Sequence, residues 1–204
     1  MHKLFRVDFT VSATVQYCMI SVIRERLKSY TAKRVECART IMAGVIIPLF
    51  ERDGDFFFLL TKRSDEVRFH KGEISFPGGM YEETDGDIMN TALRECDEEI
   101  GMKRDDVEII GRIDDVYTLT GFVITPYVGI IPYPYEFRTN PGEVAYIITL
   151  PYTYLKEASF MLEVARHDGK TQKVQSFHYN GDRIWGATCR MLLQFQSIIE
   201  DGNN

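Results

Sequence analysis

The stretch Gly78 to Met102, GGMYEETDGDIMNTALRECDEEIGM, decides how the rest of the chain is read. From Asp87 to Ile100 the spacing predicts a helix: at about 100° per residue, Met89, Leu93, Cys96 and Ile100 gather on one face. Glu95, Glu98 and Glu99 then share an arc of about 100° on the other face. One side of the helix is built for burial and the other is acidic. Three clustered carboxylates repel one another and call for a compensating cation, and hard oxygen ligands suit Mg²⁺ or Mn²⁺. Gly101, just past the last apolar position, predicts a left-handed cap.

Upstream, the branched apolar run Ile41 to Phe50, the turn pair Asp53-Gly54 and the run Asp55 to Thr61 predict a β-hairpin. KRSDEVRFHKGEISFPGG follows. Its polar and basic residues and its closing Pro77-Gly78-Gly79 predict a loop that leads into the acidic helix and allows close backbone approach.

Downstream, Val107 to Tyr117, Phe122 to Pro132 and Val144 to Leu150 read as strands, with a proline- and aromatic-rich loop at Tyr133 to Gly142. Pro151 to Lys156 reads as a short helical turn. Phe160 to Arg166 and Val174 to Tyr179 flank His167-Asp168-Gly169-Lys170 as a second hairpin. Asn180-Gly181 turns the chain into Arg183 to Trp185, and Gly186 to Ile199 closes it as a helix. Near the start, Val15, Met19, Val22, Ile23 and Leu27 predict a further helix between Ser12 and Tyr30. Hairpins with few helices argue for an α+β fold with a mixed sheet between helices.

The 204 residues carry a net charge of −6 and no block of Lys or Arg, so a nucleic-acid partner is not expected. The four cysteines are widely spaced without a CxxC pair, which suggests reduced thiols and a cytoplasmic protein. No apolar run is long enough to predict a membrane span.

Gly79, Asp85 and the run Arg94-Glu95-Cys96-Asp97-Glu98-Glu99-Ile100-Gly101-Met102 resemble the Nudix box. The interval from Gly79 to Arg94 is one residue longer than usual, and Asp85 stands where a glutamate is expected. The longer box resembles that of the coenzyme A diphosphatase-like branch of the Nudix family. So does the upstream run Leu59-Leu60-Thr61-Lys62-Arg63-Ser64 through Arg68, His70, Gly72-Glu73 and Ser75-Phe76-Pro77-Gly78-Gly79. Thr120-Gly121-Phe122, Asn140-Pro141-Gly142-Glu143 and Ile184-Trp185-Gly186 continue the likeness, which covers roughly residues 41 to 190.

The resemblance implies an α/β/α sandwich over residues 41–200; residues 1–40 lie outside it and, from their helical spacing, are expected as a helical extension packed on the domain. It implies metal-dependent hydrolysis of the pyrophosphate of coenzyme A or a derivative. Glu95, Glu98 and Glu99 are then the expected metal ligands, with the Gly79 carbonyl as a further one, and Arg94 orients the carboxylates. Glu143 is the candidate base or additional ligand, and Glu98 the alternative base. Arg63, Arg68 and His70 are candidates for the substrate phosphates, and Asp85 is a further candidate ligand. Two alternatives stay open: a hydrolase for ADP-ribose, dinucleotides or nucleoside triphosphates, and a ligand-sensing module without turnover. A homodimer is expected by analogy.

Overall fold

The computed structural model describes residues 13–37, 40–67 and 69–200. Helix α1 (Ala13–Ser29) precedes strands β1 (Ile41–Arg52) and β2 (Asp55–Arg63), which form the predicted hairpin. Two short strands, β3 (Ile74–Ser75) and β4 (Gly78–Met80), lead into helix α2 (Ile88–Ile100). Strands β5 (Glu108–Arg112), β6 (Val116–Tyr117), β7 (Phe122–Ile130) and β8 (Val144–Pro151) follow, then the short helix α3 (Tyr152–Glu157). Strands β9 (Met161–His167), β10 (Lys170–Tyr179) and β11 (Asp182–Trp185) precede the closing helix α4 (Gly186–Glu200).

Eight strands make one mixed sheet in which β1 lies between β2, antiparallel, and β7, parallel. Its two faces carry separate apolar clusters, because side chains alternate along each strand. Val45, Ile47 and Leu49 point to one face with Phe58 and Leu60, where Ile23 and Leu27 of α1 and Leu192 and Phe195 of α4 cover them. Ile46, Phe50, Phe57 and Leu59 point to the other, against Leu93, Cys96 and Ile100 of α2. The result is the expected helix/sheet/helix sandwich. Among the described residues, no helix is long and apolar enough to cross a membrane.

Two features were not anticipated. The predicted strand Val107 to Tyr117 is broken at Ile113–Asp115, because its two aspartates are recruited by the segment after α1. Asp114 accepts from the Tyr30 hydroxyl and the Lys33 amide, at 2.7 and 2.8 Å, and Asp115 from the Val35 amide at 3.0 Å. That segment is thereby strapped to the sheet, and Leu27 packs against the backbone of Gly111, where a Cβ would stand 2.9 Å away. In addition, β9, β10 and β11 form a separate three-stranded sheet. It is tied to β2 by Lys62, whose ammonium lies 2.6 Å from Asp182, a carboxylate that also accepts from the Tyr146 hydroxyl. Lys62 therefore serves the junction between the sheets.

Candidate active site

Helix α2 starts where Asp87 caps it, its carboxylate accepting from the Asn90 amide at 2.7 Å, a bond of about 0.5–2 kcal/mol. It ends at Gly101, whose left-handed φ of 70° a side chain would strain. The helix sits so close to the sheet that two glycines are needed beneath it, and a third is needed where β4 pairs with β1. A Cβ on Gly44 would lie 2.3 Å from the Ile88 carbonyl oxygen, and one on Gly79 would lie 2.4 Å from the Glu95 carboxyl carbon. Gly78, at φ 152°, would place a Cβ 2.3 Å from the Gly44 carbonyl oxygen. Gly79 of β4 thus forms the floor against which the Glu95 carboxylate rests.

Among the described residues, Glu95, Glu99 and Glu143 offer carboxylate oxygens that all lie within 4.8 Å of one another. Glu99 is the buried member, with its side chain 3% exposed. Burial pushes its pKa up to about 8, and the charges of Glu95 and Glu143 push the same way, while Arg63 and the Gly78 amide oppose them. Burial also raises Glu95, against the pull of Arg94. Carboxylates pressed together and kept from water are strained as anions, and a divalent cation relieves both penalties. The donor set, all hard oxygens, fits such an ion.

Glu98 is brought elsewhere. It is half exposed, and its carboxylate takes a 3.0 Å bond from Arg94 at the rim of the cluster. The third converging carboxylate is Glu143, which comes from the loop before β8. That loop is pinned to the end of α2: the Arg138 and Asn140 amides donate to the Ile100 and Glu99 carbonyls, each at 2.9 Å. These bonds satisfy carbonyls that a helix end leaves open. Asn140 then accepts from the Gly142 amide and donates its side-chain amide to Glu143 at 3.2 Å.

Arg94 is a hub with little freedom. It makes paired bonds of 2.7 and 3.1 Å to Asp85, contacts Glu95 at 2.9 Å and Glu98 at 3.0 Å, and donates to the Met80 carbonyl. Asp85, also bonded by the Thr91 hydroxyl, is held well below the usual carboxylate range, chiefly by the Arg94 guanidinium. Asp85 is therefore the anchor of Arg94 and stands outside the converging carboxylates. Its replacement by alanine is expected to lower kcat/KM about 10–100-fold, the range for partners that orient metal ligands. Steady-state rates at matched metal concentration would check this, and an undiminished rate would refute it.

The basic loop divides. Arg63 lies beside the carboxylates, with Nη1 3.6 Å from Glu99. His70 is exposed at φ 58°, and its Nδ1 lies 3.1 Å from Glu73, a bond that raises its pKa. It does not join the cluster. Arg68 lies outside the described residues. Cys96, fully buried under α2 with its pKa driven up by burial, is a packing thiol.

Asn140 and the Asp85–Arg94 pair have roles that reading the residues alone did not supply. Asn-Pro-Gly was a usable signal, since an asparagine in a turn bonds the backbone two residues on.

The family model described as NUDIX domain matches residues 40–177. An uncharacterized Nudix hydrolase NudL of Photorhabdus laumondii is 32% identical over 160 residues, spanning 78% of this chain and 84% of that protein. Its counterpart in Enterobacter sp. (strain 638) is 36% identical over 152 residues, or 74% and 78% of the two chains. The crystal structure of a MutT protein from Methanosarcina mazei Go1 aligns with a TM-score of 0.51 at 16% identity, covering 86% of this chain and all of that one. At that identity the likeness speaks for the fold.

Proposed function

Because the chain belongs to the Nudix hydrolase family and acts on the pyrophosphate bonds of nucleoside diphosphate derivatives, we propose that its substrate is coenzyme A or a derivative of it. The observation that carries this reading is the placement of Arg63. The run from Leu59 to Gly79 follows the upstream signature of the coenzyme A diphosphatase-like branch. Its arginine stands beside the carboxylate cluster, 3.6 Å from Glu99, and a planar guanidinium suits a phosphate. His70, exposed and outside the cluster, is the group we assign to a second anionic group such as the 3′-phosphate.

In this reading Glu95, Glu99 and Glu143 hold a divalent cation, Mg²⁺ or Mn²⁺, with the Gly79 backbone as floor and further carbonyl donor. The bound cation supplies positive charge against the phosphates and makes water easier to deprotonate. Glu98 stays on the water side of the cluster, tethered by Arg94, and accepts the proton of the attacking water. A new P–O bond forms from that water and the bridging P–O bond breaks. The products are (acyl-)4′-phosphopantetheine and adenosine 3′,5′-bisphosphate. Arg94 contributes by fixing carboxylates, since positioning and electrostatics dominate such transfers.

Purified protein would be incubated with Mg²⁺ or Mn²⁺ and a panel of coenzyme A, acyl-coenzyme A, ADP-ribose, dinucleotides and nucleoside triphosphates, with products identified by mass. Adenosine 3′,5′-bisphosphate as the leading product is expected. Rapid turnover of ADP-ribose with none of coenzyme A would overturn the substrate assignment. A protein that binds these compounds without turning any over would return the reading to a sensing module.

A further inference from the structure

The two arginines that reach the carboxylate cluster are held in opposite ways. Arg94 is locked by short bonds to Asp85, Glu95 and Glu98. Arg63 is not: its approach to Glu99, 3.6 Å, is longer than a hydrogen bond, and its Nε is buried with no acceptor. A settled arginine–carboxylate pair would show paired contacts nearer to about 2.7–2.9 Å.

Its backbone, in contrast, is fixed. The Arg63 amide donates to the Glu73 carbonyl at 2.9 Å, and its carbonyl accepts from Gly72. The pairing of β2 with β8 slips at Lys62/Arg63, from Lys62 opposite Tyr146 to Arg63 opposite Val144. The extra residue of this bulge lies on β8, and the alternation of β2 puts Arg63 on the same face as Phe57 and Leu59, toward Glu99 of α2. The Ser64 amide beside it donates to the Glu143 carbonyl at 2.8 Å. A rigid strand end thus presents a guanidinium with an unused donor to a buried carboxylate.

We propose that Arg63 is a movable counter-cation: it pairs with the ionised Glu99 carboxylate while the cluster lacks a divalent ion, and it yields that carboxylate when the ion binds. The displaced guanidinium, Nε included, then has a phosphate oxygen as its acceptor. Arg63 therefore opposes the cation and favours the anionic substrate, which couples the two binding events. This rests on the proposed cation site at Glu95, Glu99 and Glu143.

The test is Mn²⁺ titration of the full chain without substrate, at a pH above about 8 where Glu99 is ionised, with free Mn²⁺ read by electron paramagnetic resonance. Arg63→Gln is expected to bind Mn²⁺ about fivefold tighter or more than the wild type, in the usual range of such couplings, while its KM for the pyrophosphate substrate rises. Unchanged or weaker Mn²⁺ binding would overturn the proposal and leave the cation site standing. A wild type that binds no Mn²⁺ would overturn both. Circular dichroism verifies folding. Should the glutamine variant fail to fold, Arg63→Met, which keeps the apolar stem and drops the charge, takes its place: tighter Mn²⁺ binding again supports the proposal, and unchanged or weaker binding again overturns it.

Discussion

Glu99→Gln is expected to reduce kcat/KM by more than about 100-fold, beyond the range for partners that only orient ligands, and to make the metal-free protein more heat-stable above neutral pH. Both effects come from one placement. Glu99 is 2% exposed and shares its pocket with Glu95 and Glu143. Its pKa is pushed from an ordinary 4.5 to about 8 in the folded chain. Between those values the native state holds a proton that the unfolded chain has released. The stabilisation from the protonated group is therefore full below about 4.5 and is lost as pH rises through about 8. Glutamine resembles the protonated acid at every pH, so the variant escapes that loss.

Melting curves in EDTA from about pH 5 to 9 would show the wild type falling relative to Glu99→Gln as pH rises to about 8 and levelling off above it. Parallel curves would show that the burial of Glu99 carries no such penalty. The same proton opposes a divalent cation, so Mn²⁺ affinity in the wild type should climb with pH over this window. Loss of activity alone would be compatible with many defects. Loss of activity together with a gain in alkaline stability identifies a buried carboxylate whose charge is needed for chemistry and costly for folding.

What could be read from the residues was whatever depended on local periodicity and turn chemistry. The half-buried acidic helix, the Gly101 cap and the hairpins at Asp53-Gly54 and His167 to Lys170 are of that kind. The helical arc brought Glu95, Glu98 and Glu99 together as angles about an axis, but a carboxylate goes where its partners are. Arg94 is one turn from Glu98 and draws it to the rim, whereas Glu143, far along the chain from Glu99, enters the cluster. That second placement depends on the loop before β8 bonding to the open carbonyls of α2, a tertiary event with no periodic trace. Asp85 was visible as a carboxylate at the right point of the box. Its commitment to Arg94 appears only once the turn at Glu83–Asp85 folds it back over the helix.

Gly44→Ala is expected to lower stability strongly for a single added methyl, and to reduce activity without touching a charged group. In the present packing its Cβ would lie 2.3 Å from the Ile88 carbonyl oxygen, 3.0 Å from an Ile88 methyl and 3.2 Å from the Ala92 Cβ. The first of these is backbone and cannot rotate away. Helix α2 must therefore lift from β1, opening the contact between Ile46 and Leu59 on the sheet and Leu93 and Cys96 on the helix. Such overpacking costs about 1–3 kcal/mol, and at roughly 2–4 °C per kcal/mol for a chain of this size the melting temperature should fall by about 2–12 °C. The carboxylates cannot follow as a unit. Glu95 and Glu99 ride on α2, while Glu143 is carried by a loop that continues into β8 at the far side of the cluster. Only the last turn of α2 is bonded to that loop, so a lift that starts at Ile88 tilts Glu95 more than Glu99. A shift near 1 Å in such a cluster can cost about 100-fold in rate. Differential scanning calorimetry and kcat at saturating metal would measure the two effects. An alanine variant with wild-type melting and wild-type kcat would mean that α2 does not press on β1 as described, and that the glycine floor does not set the spacing of the carboxylates.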